Sequence, residues 1–368
     1  MRMKKFLILA AVVAMSAACS QTYEVTPVAK DGGQIAFGSW SDGLTRTGDA
    51  PHLTTAWVTD DTFAIYGSKK RASGDPTVVT VFDGQAVTYD GSAWDYDNHR
   101  FWDVNYTSYE FYAVSPSTFG TSPTVNSSTG VIASGAITFA GNDNDILVAD
   151  KKVVAKGDAP YFSNFATVPL VFNHIASCVD VKIKKTNTIT ATVAVTSVSL
   201  TNIDSEGSFA VDADYDNTHW GGTAGPNVTW TPTARATYDD GDGVGSVTLP
   251  TDVTGVASIA PGTATTGDDL ISGLIVMPQT LRDDSNIQTL NITYTITPSG
   301  GDVTTYTVAI PLHTFDDDYD TSNTADFITS WEMGKHYTYY VTIDAHAIMF
   351  SATINDWTAV SGYYYLMN

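Results

Sequence analysis

The stretch "LNITYTITP" (Leu290–Pro298) decides the fold class. Leu290, Ile292, Tyr294 and Ile296 alternate with Asn291, Thr293, Thr295 and Thr297, so one face is apolar and the other polar. A period of two is the mark of a strand with one buried face. "YTVAIPL" (Tyr306–Leu312), "VDVKIKK" (Val179–Lys185) and "YTYYVTID" (Tyr337–Asp344) repeat it. Threonine, valine and tyrosine suit a pleated, half-buried surface. Helical periodicity is nearly absent. Turn-forming segments such as "YDGSAWDYDN", "GNDND", "YDDGDGVG" and "FDDDYDTSN" separate the runs. The sequence therefore predicts an all-β chain built of packed sheets.

The N-terminus reads differently. Arg2, Lys4 and Lys5 precede the apolar run Phe6–Met15, which gives way to Ser16, Ala17, Ala18 and then Cys19. That is the layout of a signal peptide over residues 1–18. A membrane span needs about 20 apolar residues, and neither this run nor any later one comes near that length. Cys19 stands where a bacterial lipobox has its acylated cysteine, although Ser16 occupies the position that prefers leucine. The alternative is an ordinary signal peptide that ends beside a cysteine. Either way Cys178 is the one thiol left in the body of the chain, so no intramolecular disulfide is available there. A small packed residue is the expected role for it.

The 368 residues carry 18 basic and 40 acidic side chains, a formal charge of -22. Loss of residues 1–18 removes three basic groups and no acidic ones, which leaves 15 against 40 and a charge of -25. Such a surface repels phosphate backbones, which excludes nucleic acid as a partner. The remaining length suits about two domains of ~150 residues. A boundary fits best at "KKTNTITAT" (Lys184–Thr192), between two strongly patterned strands.

No spacing in the sequence announces a catalytic or metal centre. The seven histidines, His52, His99, His174, His219, His313, His336 and His346, lack zinc-binding spacing, and no Gly-x-Ser-x-Gly elbow occurs. His174, in "LVFNHIAS", reads as a hydrogen-bonded core or strand-end residue. The acidic runs Asp239–Gly243 and Asp316–Asp320 offer oxygen ligands but do not match the twelve-residue calcium loop, so solvated loops account for them. The glycines of "GDGVG" lack the spacing of a phosphate cradle. Aromatic residues from Trp94 to Trp102 either stack on sugar rings at the surface or fill a core. No cofactor, metal or enzymatic activity is expected.

Arginine is scarce: beyond the leader only Arg46, Arg71, Arg100, Arg235 and Arg282 occur. Arg46 lies in "SDGLTRTGDAP" (Ser41–Pro51), a composition typical of an open loop. An ordinary surface charge and a processing point are both compatible with that setting.

Several phrases taken in order resemble the fimbrillin-like proteins of Bacteroidetes, the Mfa-like or major fimbrial subunit type of lipoprotein. They are "WVTDDTFAIYG" (Trp57–Gly67), "FWDVNYTSYEFYAVSP" (Phe101–Pro116), "DILVAD" (Asp145–Asp150) and "VPLVFNHIASCVDVKIK" (Val168–Lys184). They continue with "VSLTNIDSEGSF" (Val198–Phe209), "LIVMPQTL" (Leu274–Leu281), "SWEMGKHYTYYVTI" (Ser330–Ile343) and "FSATINDW" (Phe350–Trp357).

The resemblance implies two tandem transthyretin-like β-sandwich domains after a lipoprotein signal peptide. Residues 19–46 would be a lipidated pro-segment, 47–187 the first domain and 188–368 the second. It implies outer-membrane anchoring through lipid on Cys19, then cleavage between Arg46 and Thr47 by an arginine-specific protease. The partners are neighbouring pilin subunits, whose strands fill the groove that cleavage opens. In "GQIAFGSW", Ile35 and Phe37 share one face of a short strand, so the pro-segment could fill that groove beforehand. The donor is expected in residues 358–368, where Val360, Gly362, Tyr364 and Leu366 share one face, unless that tail is only a last strand. The other functional reading is a non-polymerising surface lipoprotein that binds glycans or host and bacterial surface ligands, an adhesin.

Overall fold

The computed structural model describes residues 33–40, 57–71, 77–103, 105–118, 124–125, 132–139, 145–155, 167–211, 228–235, 246–247, 267–282, 287–313, 328–344 and 348–356. Every regular element among them is a strand, and none of the described residues forms a helix long and apolar enough to cross a membrane. The chain is all-β.

The first half holds β1 (Phe37–Trp40), β2 (Thr62–Lys70), β3 (Val78–Tyr89), β4 (Trp94–Asp95), β5 (Ser108–Ser115) and β6 (Thr124–Val125). It continues with β7 (Ile132–Ala133), β8 (Ile137–Thr138), β9 (Leu147–Ala149), β10 (Lys152–Ala155), β11 (Val168–His174) and β12 (Ser177–Lys185). The second half holds β13 (Thr192–Thr201), β14 (Asp204–Val211), β15 (Val228–Arg235), β16 (Ser246–Val247), β17 (Asp268–Val276) and β18 (Gln279–Thr280). Last come β19 (Thr289–Thr297), β20 (Thr304–Pro311), β21 (Ser330–Trp331), β22 (Lys335–Ile343) and β23 (Ile348–Asp356).

An eight-stranded sheet runs β1-β11-β9-β5-β2-β3-β4, with β10 beside β5. Two four-stranded sheets, β17-β12-β22-β23 and β16-β13-β19-β20, face each other. Val179, Val181 and Ile183 of β12 meet Val193, Val195 and Leu200 of β13 and Leu290 and Ile292 of β19 in one aliphatic core. These two sheets form a sandwich. A further sheet, β15-β14-β7-β6 with β8 on β14, packs against the outer face of the eight-stranded one. Strand β2 is apolar on both faces for that reason: Phe63 and Ile65 enter one core, Ala64 and Tyr66 the other.

The alternation read in β19 is the alternation observed, since Leu290, Ile292 and Tyr294 are buried and Ile296 is partly so. In β20 the pattern is weaker than its sequence: Ile310 is buried, but Tyr306 is exposed, because β20 is the edge of its sheet. Strand β12 lies before the boundary expected at 187/188, yet it pairs with β17 and, in parallel, with β22. Strands β7 and β8 likewise join β14. Hydrogen bonding thus runs across that position, because parallel pairing joins strands that are far apart in sequence.

Candidate assembly site at the N-terminal strand

The segment Gly33–Trp40 bridges the two ends of the eight-stranded sheet. Gly33, with φ of 85°, turns the chain in from a conformation that disfavours a side chain. Its carbonyl accepts the Trp102 N–H at 2.9 Å, and the Ile35 N–H donates to the Arg100 carbonyl at 2.8 Å. One end of the segment is thereby tied to the residues that follow β4. Then the Val168 N–H donates to the Ala36 carbonyl at 2.8 Å, and β1 runs parallel to β11 with Phe37 opposite Val168 and Trp40 opposite Val171. Strand β11 has β9 on its other side, so β1 caps what is otherwise an open edge.

Ile35 and Phe37 are both buried, as strand alternation requires of residues two apart. Phe37 packs into an aromatic nest, with ring centroids 5.4 Å from Phe82, 5.6 Å from Phe111, 5.8 Å from Tyr96 and 6.2 Å from Phe63. Edge-on approaches dominate, the geometry ring quadrupoles favour. Tyr96 adds a polar latch: its hydroxyl donates to the Ile35 carbonyl at 2.6 Å and receives the Arg100 N–H at 3.2 Å. Burial pushes the Tyr96 phenol up to about 12, so it remains a donor across the physiological range.

The chain re-enters the described fold at Trp57, whose ring packs edge-on to Trp94 at 4.9 Å and to Phe172 at 5.4 Å. Arg46 and Thr47 fall in the intervening residues 41–56 and lie outside the described residues, as do Cys19 and Val360, Gly362, Tyr364 and Leu366. The acidic runs 239–243 and 316–320, with His52, His219 and His346, lie outside them too.

Trp94 and Trp102 belong to the aromatic core. Trp102 is buried and stacks edge-on against Tyr109 at 4.7 Å, while Trp94 packs against Phe63 at 4.7 Å. The sugar-stacking reading is corrected for Trp102, whose ring is buried, whereas Trp94 is only partly buried and Phe101 is exposed. His174 is a buried strand-end residue whose Nδ1 lies 2.7 Å from Asp145 Oδ1. Cys178 is buried as expected. The sequence analysis missed that Cys178, Asp180 and His336 converge. Cys178 and Asp180 have the two-residue spacing of one strand face, but His336 joins them only through the parallel β12–β22 pairing.

A family model described as fimbrillin-like matches residues 45–357. The chain belongs to the fimbrillin-like family. Membership supports a fimbrial or adhesin-like protein of the cell surface, one that associates with other fimbrial subunits and is structural rather than enzymatic. No curated protein matches the sequence. Among solved structures, a fimbrial protein from Bacteroides vulgatus ATCC 8482 is 16% identical, with a TM-score of 0.48 over 89% of this chain and 100% of that one. A candidate cell adhesion protein from Bacteroides ovatus ATCC 8483 is 18% identical, with a TM-score of 0.45 over 89% and 99%. The tip fimbrial protein Mfa3 from Porphyromonas gingivalis, with C-terminal truncation, is 9% identical, with a TM-score of 0.34 over 81% and 95%.

Proposed function

We propose that this fimbrillin-like chain is a structural subunit of a cell-surface fimbria, exported as a lipoprotein on Cys19 and assembled by strand exchange. The observation that carries the proposal is the burial of Ile35 and Phe37 in a short segment upstream of Arg46 whose strand β1, among the described residues, pairs with β11 alone. Cleavage between Arg46 and Thr47 by an arginine-specific protease would detach that strand along with the lipid anchor at the outer membrane. It would leave the β11 edge and the pocket of Phe37 open to an incoming strand. Two further features support the reading. The family match begins at residue 45, so the plug precedes the part of the chain that the family shares. At the other end, β23, an edge strand among the described residues, runs to Asp356, and the proposed donor with Val360, Gly362, Tyr364 and Leu366 follows it closely in sequence.

The adhesin alternative would rest on the partly buried Trp94 and the exposed Phe101, since Trp102 is packed in the core. The deciding experiment is N-terminal sequencing of the protein on surface filaments. Thr47 is the expected first residue, and Arg46→Ala should leave the lipid-bearing precursor and deplete filaments. Any other mature N-terminus, or unchanged filaments in Arg46→Ala, would refute the assignment.

A further inference from the structure

A second site is formed on β12, away from the plug. Val179, Val181 and Ile183 enter the sandwich core, which turns Cys178 and Asp180 to the opposite face. In the parallel neighbour β22, Cys178 is in register with His336, and Tyr337 and Tyr339 occupy the core face. His336 therefore shares a face with Cys178 and Asp180. On the other flank the β12–β17 register shifts between Val179 and Val181. Gly273, with φ of 63°, sits opposite that irregularity and donates its N–H to Asp180 Oδ1 at 2.6 Å. The carboxylate is thus oriented with Oδ2 2.9 Å from His336 Nε2. That ring nitrogen is buried and close to the carboxylate, yet not aligned for a hydrogen bond. The Cys178 sulfur, an Asp180 oxygen and a His336 nitrogen all lie within 4.8 Å of one another.

We propose that Cys178, Asp180 and His336 bind a divalent cation of the zinc class, which ties β12 to β22. A sulfur, an imidazole nitrogen and a carboxylate oxygen are a donor set for zinc or a close relative, whereas calcium and magnesium take oxygen ligands. Tetrahedral bonds of about 2.0–2.3 Å hold ligand atoms roughly 3.5 Å apart, a value bracketed by the spacing here. The Gly273 N–H holds the carboxylate from behind, as outer partners do for metal ligands.

Charge points the same way. A divalent ion held by a thiolate and a carboxylate would balance both negative charges, the thiol proton being released on binding.

The test uses the full chain carrying Cys19→Ser, so that Cys178 is the only thiol. Titration with cobalt(II) should saturate at one equivalent and produce a thiolate-to-cobalt charge-transfer absorption, which one equivalent of zinc removes and calcium does not. Cys178→Ser should abolish the band, and His336→Ala should weaken zinc binding by about tenfold or more. The band is read on the chain with its site intact, so a variant that fails to fold does not decide the outcome. A folded chain without the band, or zinc affinity unchanged in His336→Ala, would overturn the proposal.

Discussion

Phe37 and Val181 are both buried, but the strands that carry them are held in different ways. Strand β12, with Val181, lies between β17 and β22, and its apolar face is locked in an aliphatic sandwich core. Strand β1, with Phe37, has β11 on one side only, and the residues before it are tied to the Gly33–Arg100–Trp102 contacts. Burial alone does not distinguish the two. What differs is the extent of attachment: β12 has a full ladder on each side, whereas the β1 segment has one four-residue ladder with β11 and a single bridge, Gln34 to Phe101, on its other side. Local opening follows the weaker attachment, so a residue as deep as Phe37 can belong to a separable element.

The largest effect expected is from Phe37→Ala, which empties the aromatic nest between Phe63, Phe82, Tyr96 and Phe111. It should cost the precursor about 3–5 kcal/mol, read by urea unfolding. The plug-free chain that starts at Thr47 lacks the residue and should resemble the destabilised precursor in its first-half core. Equal stability of precursor and plug-free chain would erase the contrast between the two strands.

A smaller loss, about 1–3 kcal/mol, is expected for Trp331→Phe, because the buried Trp331 Nε1–H donates to the Tyr339 hydroxyl at 2.9 Å. Thermal unfolding should show the loss equally in precursor and plug-free chain, since this bond lies in the sandwich core that β1 does not touch. A loss confined to the precursor would mean that the two cores are coupled.

Alkaline titration sharpens the contrast at the latch. The Tyr96 phenol is raised by burial from 10.0 to about 12 in the folded chain. A folded value above the unfolded one favours the protonated form, so this stabilisation is full below pH 10 and is lost as pH rises from 10 to about 12. Tyr96→Phe should remove that part of the pH dependence. It also removes the hydrogen bond to the Ile35 carbonyl, so exchange of the β1 amides should quicken at neutral pH. The smallest effect is assigned to the Lys70–Glu110 pair at 2.6 Å, where Lys70 is substantially exposed. Lys70→Met should change stability by no more than about 1 kcal/mol in either form.

Much of this architecture was legible strand by strand. The period in Leu290–Thr297 names the residues that are buried, because a strand facing one core must alternate, whereas in Tyr337–Ile343 it names Tyr337, Tyr339, Val341 and Ile343 but not Thr338 and Thr342, which are buried as well. The pair Ile35 and Phe37 could be read as one apolar face from spacing alone. What spacing does not carry is partnership. Nothing local in "VDVKIKK" says that β12 pairs in parallel with β22, so neither the sheet that crosses position 187/188 nor the approach of His336 to Cys178 could be read. The aromatic run from Trp94 was ambiguous for the same reason: whether a tryptophan faces solvent or Phe63 depends on which strands close over it.

The central claim is that Gly33–Trp40 is a separable part of the first sheet. It is tested most directly by hydrogen exchange on the purified precursor before and after cleavage at Arg46, with the released fragment removed by gel filtration. The fragment is expected to separate and the amides of Val168 and Leu170, which face β1, to lose protection, while those of Val179–Ile183 keep theirs. A fragment that stays bound through filtration, with β11 protection unchanged, would contradict it.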